Sequence, residues 1–551
     1  MLKTYFEKFP FNPIPINCSK FDFLSFIFFK VKTMINHSLD IRKISFSFLI
    51  FILSVSVLAQ SGFPQDFDQW VENGRKDWEI PGMAIGIVKD GKVIYNKGFG
   101  EKKLGSGDLV DANTLFSIAS VSKNITAAAL GILVDEGKIN WDDKIIQHIP
   151  WFQFKDPWVT KEVTIKDALT HQIGLGRILG NRLQFMTKSD RDQLLYQVRY
   201  MDFEKPFRSD FVYNNVMYSL AGQIIEYSDG RSWDQFLQEK LFIPLEMNRT
   251  TTTLSALELQ DNKAWPHQEI DGKITPIERR NWDNAGPAGG VNSSINDLNK
   301  WMLMQLGKAG TYKTKEIISP RQMNEIHKPQ VIRPMNNAMD AQASYGLGWN
   351  ILDYKGKRVW THGGETDGFN TFMYLLPELE LGIIVATNTF NNFGTAVAYQ
   401  VMDSYLGGSE RDWNSHYLDR YKRYYQQVQA EREAIHNARI PNTKPSLSPS
   451  AHIGIYTSEA YGKVEVFKKG KDLIIRFWED PDLEAALEHW HFDTYRAVWK
   501  NRALREEFMQ FHLNKKGKIE SLDFEFVLRP MLLQVGAYPS NYTHTERFVK
   551  E

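Results

Sequence analysis

A serine and a lysine three residues apart, Ser120 and Lys123, have the chemistry of a nucleophile and its base. The segment 118–136 predicts a helix, because apolar side chains recur at spacings of three and four and Gly137 follows as a stop signal. At the start of that helix the two side chains share one face, and the helix N-terminus favours negative charge that develops near the serine. A desolvated lysine one turn away can accept the serine proton. Taken alone, the spacing also fits an exposed polar helix start.

A second pair of polar groups, Tyr213 and Asn215, stands just before a helix-like run over 215–228. A phenol beside a lysine ammonium can shuttle a proton to a leaving group. The amide of Asn215 can bind a substrate amide or Lys123. A loop tyrosine whose hydroxyl caps a turn is the alternative interpretation of the same residues.

The third segment is His362-Gly363-Gly364-Glu365. Paired glycines let a substrate lie against a strand edge, because glycine permits close approach to the backbone. Backbone N–H groups in this segment can complete an oxyanion hole with that of Ser120. A glycine-rich turn with a surface histidine is the alternative.

In this order the three motifs resemble the class C-like branch of the serine β-lactamase and penicillin-binding-protein superfamily. That branch carries Ser-x-x-Lys, Tyr-x-Asn, and Lys-Thr-Gly or His-x-Gly. Other stretches over residues 63–407 are similar to the family as well: PheSerIleAlaSer before Lys123, LeuThrHisGlnIleGlyLeu (169–175), ProAlaGlyGlyVal (287–291) and TyrGlyLeuGlyTrp (345–349).

Two residues depart from the family pattern. Ile173 stands where the family usually has a small polar residue, so the local packing must differ. His362 stands where many β-lactamases and carboxypeptidases have lysine, and histidine, with an ordinary pKa of about 6.5, is mostly neutral at pH 7. Selection for a free substrate carboxylate is therefore weakened, which favours peptidase-like or esterase-like substrates over β-lactams.

The resemblance implies a serine hydrolase that works through an acyl-enzyme. Ser120 would attack a carbonyl with help from Lys123 and Tyr213, the oxyanion would lie between the N–H groups of Ser120 and Glu365, and Tyr213 would protonate the leaving group. No metal or organic cofactor is expected. The expected substrate is a small molecule or peptide, namely a D-amino-acid peptide, amide or ester. The alternatives are a carboxylesterase, a β-lactamase, or a penicillin-binding sensor that acylates without turnover.

Strand and helix signals place these motifs in a mixed fold. Alternating apolar residues around Asp90-Gly91 predict a β-hairpin over 83–100, and further strands are predicted at 369–376 and 381–388. Strands at both ends of a helical middle imply one antiparallel sheet built from both. The expected fold class is α+β: an antiparallel sheet flanked by helices plus an all-helical region, as in β-lactamases and transpeptidases, followed by a small all-β, barrel-like domain.

The last quarter of the chain changes in composition. Residues 413–439 are charged and helical in character, 441–450 have linker composition, and the strand-rich remainder resembles the small lipocalin-like domain appended to many hydrolases of this family. His489, His491 and His512 there lack the partners of a metal site. The predicted divisions are a signal peptide (1–59), a β-lactamase-like serine hydrolase domain (60–407), a helical segment with linker (408–450) and a small lipocalin-like β domain (451–551).

Charge and cysteine content exclude further classes of function. Lys+Arg and Asp+Glu both number 66, so the charge balance does not favour nucleic acid as a partner.

The apolar run 44–58 follows Arg42-Lys43 and predicts a signal peptide, hence a periplasmic or secreted protein, with an N-terminal membrane anchor as the alternative. Residues 1–33 ahead of it fit an over-extended gene start. The single cysteine, Cys18, precedes the run, so the processed chain would hold no thiol. The oligomeric state is left open.

Overall fold

The computed structural model describes most of the chain after the predicted signal peptide. That peptide and Cys18 lie outside the described residues. Within them, no helix is both long and apolar enough to cross a membrane. The described residues are 64, 66–176, 181–186, 188–307, 310–333, 342–408, 411–478, 480–502, 504, 506–527 and 543–551.

An eight-stranded antiparallel sheet forms the centre of the first domain, in the order β2-β1-β14-β13-β12-β11-β10-β9. The early strand β1 pairs with the late strand β14 from Met83↔Thr387 to Lys89↔Leu381, so the sheet is built from both ends of this region. The predicted α+β fold is confirmed. The strands are β1 Gly82–Lys89, β2 Lys92–Gly100, β3 Phe116–Ser117, β4 His267–Ile270, β5 Lys273–Pro276, β6 Asn292–Ser293, β7 Thr311–Tyr312, β8 Lys315–Glu316, β9 Val331–Ile332, β10 Ser344–Tyr345, β11 Asn350–Tyr354, β12 Lys357–Thr366, β13 Phe369–Leu376 and β14 Leu381–Thr387.

Helices cover both faces of this sheet, because side chains alternate between its faces along each strand. On β1, Ala84 and Val88 belong to one apolar core, and Met83, Ile85 and Ile87 belong to the other. The helices are α1 Phe67–Asp77, α2 Ser122–Asp135, α3 Ile145–His148, α4 Pro157–Glu162, α5 Ile165–Leu169, α6 Arg191–Gln197, α7 Val216–Asp229, α8 Trp233–Leu237, α9 Leu254–Glu258, α10 Gly286–Gly289, α11 Ile295–Leu306, α12 Pro320–Ile326, α13 Phe393–Tyr405 and α14 Trp413–Asn437. The first core joins the sheet to α2, α7 and α11, whereas α1 and α13 pack in the second.

A closed antiparallel barrel follows α14. Each strand pairs with the next along the chain, and β22 also pairs with β15, which closes the barrel. Buried aromatic side chains, among them Phe477, Phe524 and Phe548, fill its centre, as expected of a barrel of this size. The strands are β15 Gly454–Ser458, β16 Gly462–Lys469, β17 Asp472–Phe477, β18 Glu484–His491, β19 Thr494–Trp499, β20 Glu507–Leu513, β21 Ile519–Val527 and β22 Thr543–Lys550.

Candidate active site

Ser120 lies in a 3₁₀ turn, Ala119–Val121, directly before helix α2. The α-helix predicted from residue 118 therefore begins at Ser122, two residues after Ser120. Ala119 has a φ of 45°, in the left-handed region that costs free energy for a residue with a Cβ. The hydrogen bond from the Ile118 N–H to the Val291 carbonyl, at 3.0 Å, anchors the chain just before this turn. The strained residue therefore directly precedes the predicted nucleophile.

Lys123 is completely buried in the first turn of α2. Its Nζ donates to three acceptors: Ser120 Oγ at 3.0 Å, Asn215 Oδ1 at 2.8 Å and the Ala288 carbonyl oxygen at 2.8 Å. The protonated side chain has three N–H donors, one for each of these acceptors, and the neutral amine can keep the bonds to Asn215 and Ala288 while its lone pair faces the serine. A buried amine is tolerated only with such partners, and here they fix it beside the serine.

Tyr213 approaches the same serine from another part of the chain. Its hydroxyl donates to Ser120 Oγ at 2.9 Å. The ring of His171 packs on the tyrosine ring with centroids 4.4 Å apart, and the Val212 N–H donates to the His171 carbonyl at 2.8 Å. His171 also accepts the Asn214 N–H on Nδ1 at 3.2 Å. The stretch 169–175 that resembles the family therefore has a physical role, which is to hold the tyrosine loop in place.

Asn215 occupies the position just before α7 and joins the lysine to a neighbouring segment. Besides accepting from Lys123, it donates its backbone N–H to Asn181 Oδ1 at 2.9 Å and its Nδ2 to Gln184 Oε1 at 3.1 Å. Sequence reasoning missed Asn181 and Gln184, because neither belongs to a recognisable motif.

The ProAlaGlyGlyVal stretch (287–291) contains most of the short helix α10 and the residues that follow it, and it contacts Lys123. Besides the Ala288 carbonyl, its Val291 N–H donates to Ser122 Oγ at 3.1 Å, and the Pro287 carbonyl accepts from Thr126 Oγ1 at 2.8 Å. This stretch therefore positions the first turn of α2.

The third motif lies within strand β12 and not in a turn. His362 pairs with Met373 and Gly364 with Thr371 on β13. A Cβ added at Gly364 would overlap the Ile118 carbonyl and lie 3.1 Å from the backbone nitrogen of Ser120. The glycine therefore lets the strand lie directly against the turn that carries the serine.

His362 is buried, which contradicts the alternative of a surface histidine. Its Nδ1 lies 2.8 Å from the Gly363 carbonyl, which can only accept, so Nδ1 carries the proton and Nε2 accepts from the Tyr345 hydroxyl at 3.1 Å. Burial, followed by the nearby charge of Lys123, lowers the pKa of His362 to about 3. The side chain is neutral near pH 7, as the sequence predicted for histidine in this position.

The remaining predicted residues, Gly363 and Glu365, lie on the same strand on either side of Gly364, and each is partly exposed. All eight predicted site residues therefore belong to two adjoining groups: one around the lysine and one along β12.

The histidines of the barrel do not belong to either group. His489 Nε2 donates to the Phe492 carbonyl, and a β-bulge separates His489 from His491. Across the described part of the chain, no group of three metal-ligating side chains is assembled.

Known protein families match both parts of the chain. The family described as Beta-lactamase matches residues 67–406, and the family described as Domain of unknown function (DUF3471) matches residues 438–535. The unguisins hydrolase ungD' of Aspergillus campestris (strain IBT 28561) is 29% identical over 437 residues, covering 75% of this chain and 79% of the relative. The unguisins hydrolase ungD of Aspergillus violaceofuscus (strain CBS 115571) is 26% identical, covering 74% and 77%. The octameric penicillin-binding protein homologue from Pyrococcus abyssi has a similar fold, with a TM-score of 0.55 at 21% identity over 88% of this chain and 99% of that one.

Proposed function

The chain belongs to the beta-lactamase family, and from that premise we propose that it is a serine hydrolase that forms an acyl-enzyme on Ser120. One observation carries the proposal: the Ser120 hydroxyl oxygen accepts hydrogen bonds from both Lys123 and Tyr213. A nucleophile within hydrogen-bond reach of its base, with the base oriented by a further group, is the arrangement that activates a serine. Asn215 and the Ala288 carbonyl orient the lysine here.

The proposed reaction has two displacement steps. Ser120 Oγ attacks the substrate carbonyl carbon while Lys123, in its neutral amine form, accepts the serine proton across the contact between Nζ and Oγ. Tyr213 returns a proton to the leaving nitrogen or oxygen as the bond from that atom to the carbonyl carbon breaks. Water then attacks the acyl-enzyme, with proton transfer in the reverse direction, and releases the acid.

We assign the oxyanion to a position between the backbone N–H groups of Ser120 and Glu365. The close approach of Gly364 to the serine turn supports this assignment, because it brings strand β12 against Ser120 without an intervening side chain. Backbone N–H groups that the folded protein already orients before the reaction stabilise the charge that develops on the carbonyl oxygen.

The proposed substrate is a D-amino-acid peptide, amide or ester. The neutral, buried His362 supplies no cation to bind a substrate carboxylate, which disfavours substrates recognised by that group. Two relatives are named as hydrolases of unguisins, which supports hydrolysis as the general activity. A carboxylesterase remains the second candidate, because the same neutral site accepts simple esters.

Export to the periplasm or the medium remains a proposal based on residues 44–58.

A substrate panel tests this function. Wild type and Ser120→Ala are assayed with a D-alanyl peptide amide, a p-nitrophenyl ester and a chromogenic β-lactam. We expect steady turnover of the amide or the ester by wild type, slow or no turnover of the β-lactam, and a loss of roughly 10³-fold or more in kcat with Ser120→Ala. Turnover that survives Ser120→Ala would overturn the proposal, and a stoichiometric burst without turnover would favour the sensor instead.

A further inference from the structure

A completely buried asparagine, Asn370, lies on β13 directly opposite Glu365. Its Nδ2 donates to the Gly364 carbonyl at 3.3 Å, and its Oδ1 accepts the Asn391 backbone N–H at 3.0 Å. A backbone N–H can only donate, so the bond from Asn391 fixes which end of the amide faces Gly364. The mechanism described so far does not use this side chain.

The Gly364 carbonyl belongs to the same peptide group as the Glu365 N–H. Strands β12 and β13 meet in a two-residue turn closed by the pair Thr366↔Phe369, and the next pair inward is Glu365↔Asn370. Hydrogen-bonded and non-hydrogen-bonded pairs alternate along an antiparallel ladder, and the pair that closes a two-residue turn is hydrogen-bonded. The Glu365 N–H therefore points away from β13. Because the peptide is planar and trans, its carbonyl points towards β13 and Asn370.

We propose that Asn370 is a positioning residue for the oxyanion hole, an inference that rests on the proposed function. Its amide adds a second hydrogen bond to the Gly364 carbonyl, beside the ladder bond from Thr371 opposite it, and so helps to orient the Glu365 N–H towards the developing oxyanion. A hydrogen bond to the carbonyl of a peptide also polarises its N–H, so the donor becomes stronger as well as better aimed.

Asn370 is itself held rigidly by a buried network. Its backbone carbonyl accepts from Thr387 Oγ1 at 3.2 Å. Asn391, which binds its side chain, donates its Nδ2 to Thr387 Oγ1 at 2.8 Å and to the Thr389 carbonyl at 2.9 Å. A donor fixed in this way needs no reorganisation when charge develops, and that is the condition for strong electrostatic stabilisation.

The test replaces the donor by an acceptor of the same shape. Asn370→Asp can still accept from Asn391 but places a carboxylate oxygen against the Gly364 carbonyl. We expect kcat for an ester substrate to fall by roughly 10- to 100-fold, below the ~10²–10³ that direct loss of an oxyanion donor costs. The affinity for an arylboronic acid, which forms a tetrahedral adduct on serine, should fall in parallel, while KM changes by less than about twofold because only the transition state uses the oxyanion donor.

Asn388→Asp is the matched control, because Asn388 is equally buried and also donates through Nδ2 to backbone carbonyls, those of Glu101 and Lys102. It should lower the melting temperature without the loss in kcat and boronate affinity. Equal kinetic effects of the two variants, or an effect of Asn370→Asp on KM alone, would overturn the inference. If Asn370→Asp does not fold, Asn370→Ser gives the same comparison, because the serine side chain is too short to reach the Gly364 carbonyl. Absence of wild-type turnover and of Ser120 labelling by a fluorophosphonate would instead refute the proposed function.

Discussion

The hydroxyl of Tyr213 donates a hydrogen bond to Ser120 Oγ across 2.9 Å, although 93 residues separate the two in the chain. Packing against the ring of His171 holds the tyrosine in that position. The position of the ring therefore does not depend on the hydroxyl, and the chemical contribution of the hydroxyl can be removed while the ring stays in place.

Tyr213→Phe removes the hydroxyl and leaves the ring. We predict that kcat falls by roughly 10²–10⁴, the usual contribution of general acid–base catalysis, because the leaving group loses its proton donor. The melting temperature should change little. Steady-state kinetics with an ester and an amide, together with thermal unfolding, measure both quantities, and the loss should be larger for the amide, whose leaving group needs the proton more.

Tyr218→Phe is the control for that prediction. Tyr218 also lies beside Lys123, with Nζ 5.4 Å from its ring centroid, but its hydroxyl donates to the Leu169 carbonyl. We expect kcat within a few-fold of wild type. A loss as large as that of Tyr213→Phe would show that general disturbance of the aromatic cluster, and not proton transfer, explains both effects.

Gly364→Ala should separate strand β12 from the serine turn. The new Cβ would overlap the Ile118 carbonyl, so either the strand or the turn must move. We predict a severe loss of kcat, about 10²-fold or more, the scale of losing an oxyanion donor. Gly289→Ala, whose Cβ would lie 3.6 Å from the backbone carbon of Ala119, adds a methyl group beside the same turn at ordinary contact distance and should retain activity. Equal loss in the two variants would contradict the assignment of β12.

Two buried histidines should make the protein less stable in acid. Desolvation lowers the pKa of His327 to about 3, and it is the main cause of the same shift at His362. An unfolded histidine titrates near 6.5, so between pH 6.5 and about 3 the unfolded state binds more protons. The free energy of unfolding is therefore greatest above pH 6.5 and falls as the pH is lowered through this window.

Denaturant unfolding at several pH values measures that slope. His327→Gln should flatten it, since glutamine does not titrate in this window. In the folded protein His327 donates Nδ1 to the Met323 carbonyl and stacks on Trp360. An unchanged slope in this variant would show that other groups cause the acid sensitivity.

The barrel is tied to the segment beside Asn215 by one largely buried ion pair. Arg182 binds the Glu507 carboxylate of β20 and lies over the rings of Phe185 and Phe526. Arg182→Gln should lower the free energy of unfolding by about 1–3 kcal/mol, because it removes a charged partner of a buried carboxylate. Activity should also fall, because Gln184 in the same segment binds Asn215.

Arg502→Gln is the matched control for that ion pair. Arg502 also joins the barrel to the first domain, through Asp271 at 2.6 Å, but both side chains are largely exposed. Such a pair contributes about 0–1 kcal/mol. Thermal unfolding and kcat of the two variants are compared, and similar losses in both would contradict a specific role for Arg182.

Local sequence patterns predicted most of the elements that carry the site. The helix expected over 215–228 is Val216–Asp229, and the hairpin around Asp90-Gly91 has positive φ at both turn residues, as a type I′ turn requires. The beginning of apolar periodicity, however, does not distinguish an α-helical first turn from a 3₁₀ turn. The periodicity therefore predicts a helix from residue 118, whereas the α-helix begins at Ser122, after the 3₁₀ turn that holds Ser120.

Contacts between distant segments were the part that the sequence did not reveal. The paired glycines of the third motif fit a turn as well as a strand, and only pairing with β13 settles the choice. Asn370 and Gln184 carry ordinary polar side chains, and their importance follows from partners that are distant in the chain or outside any motif. Arg182 and Glu507 are 325 residues apart. Pairings over such separations depend on the whole fold and leave no local signal.

Covalent labelling tests the nucleophile most directly. Wild type and Ser120→Ala are treated with a fluorophosphonate, and the intact mass and the labelled peptide are determined by mass spectrometry. We predict one adduct on wild type, located at Ser120, and none on Ser120→Ala. An adduct at another residue, or equal labelling of both proteins, would contradict this prediction.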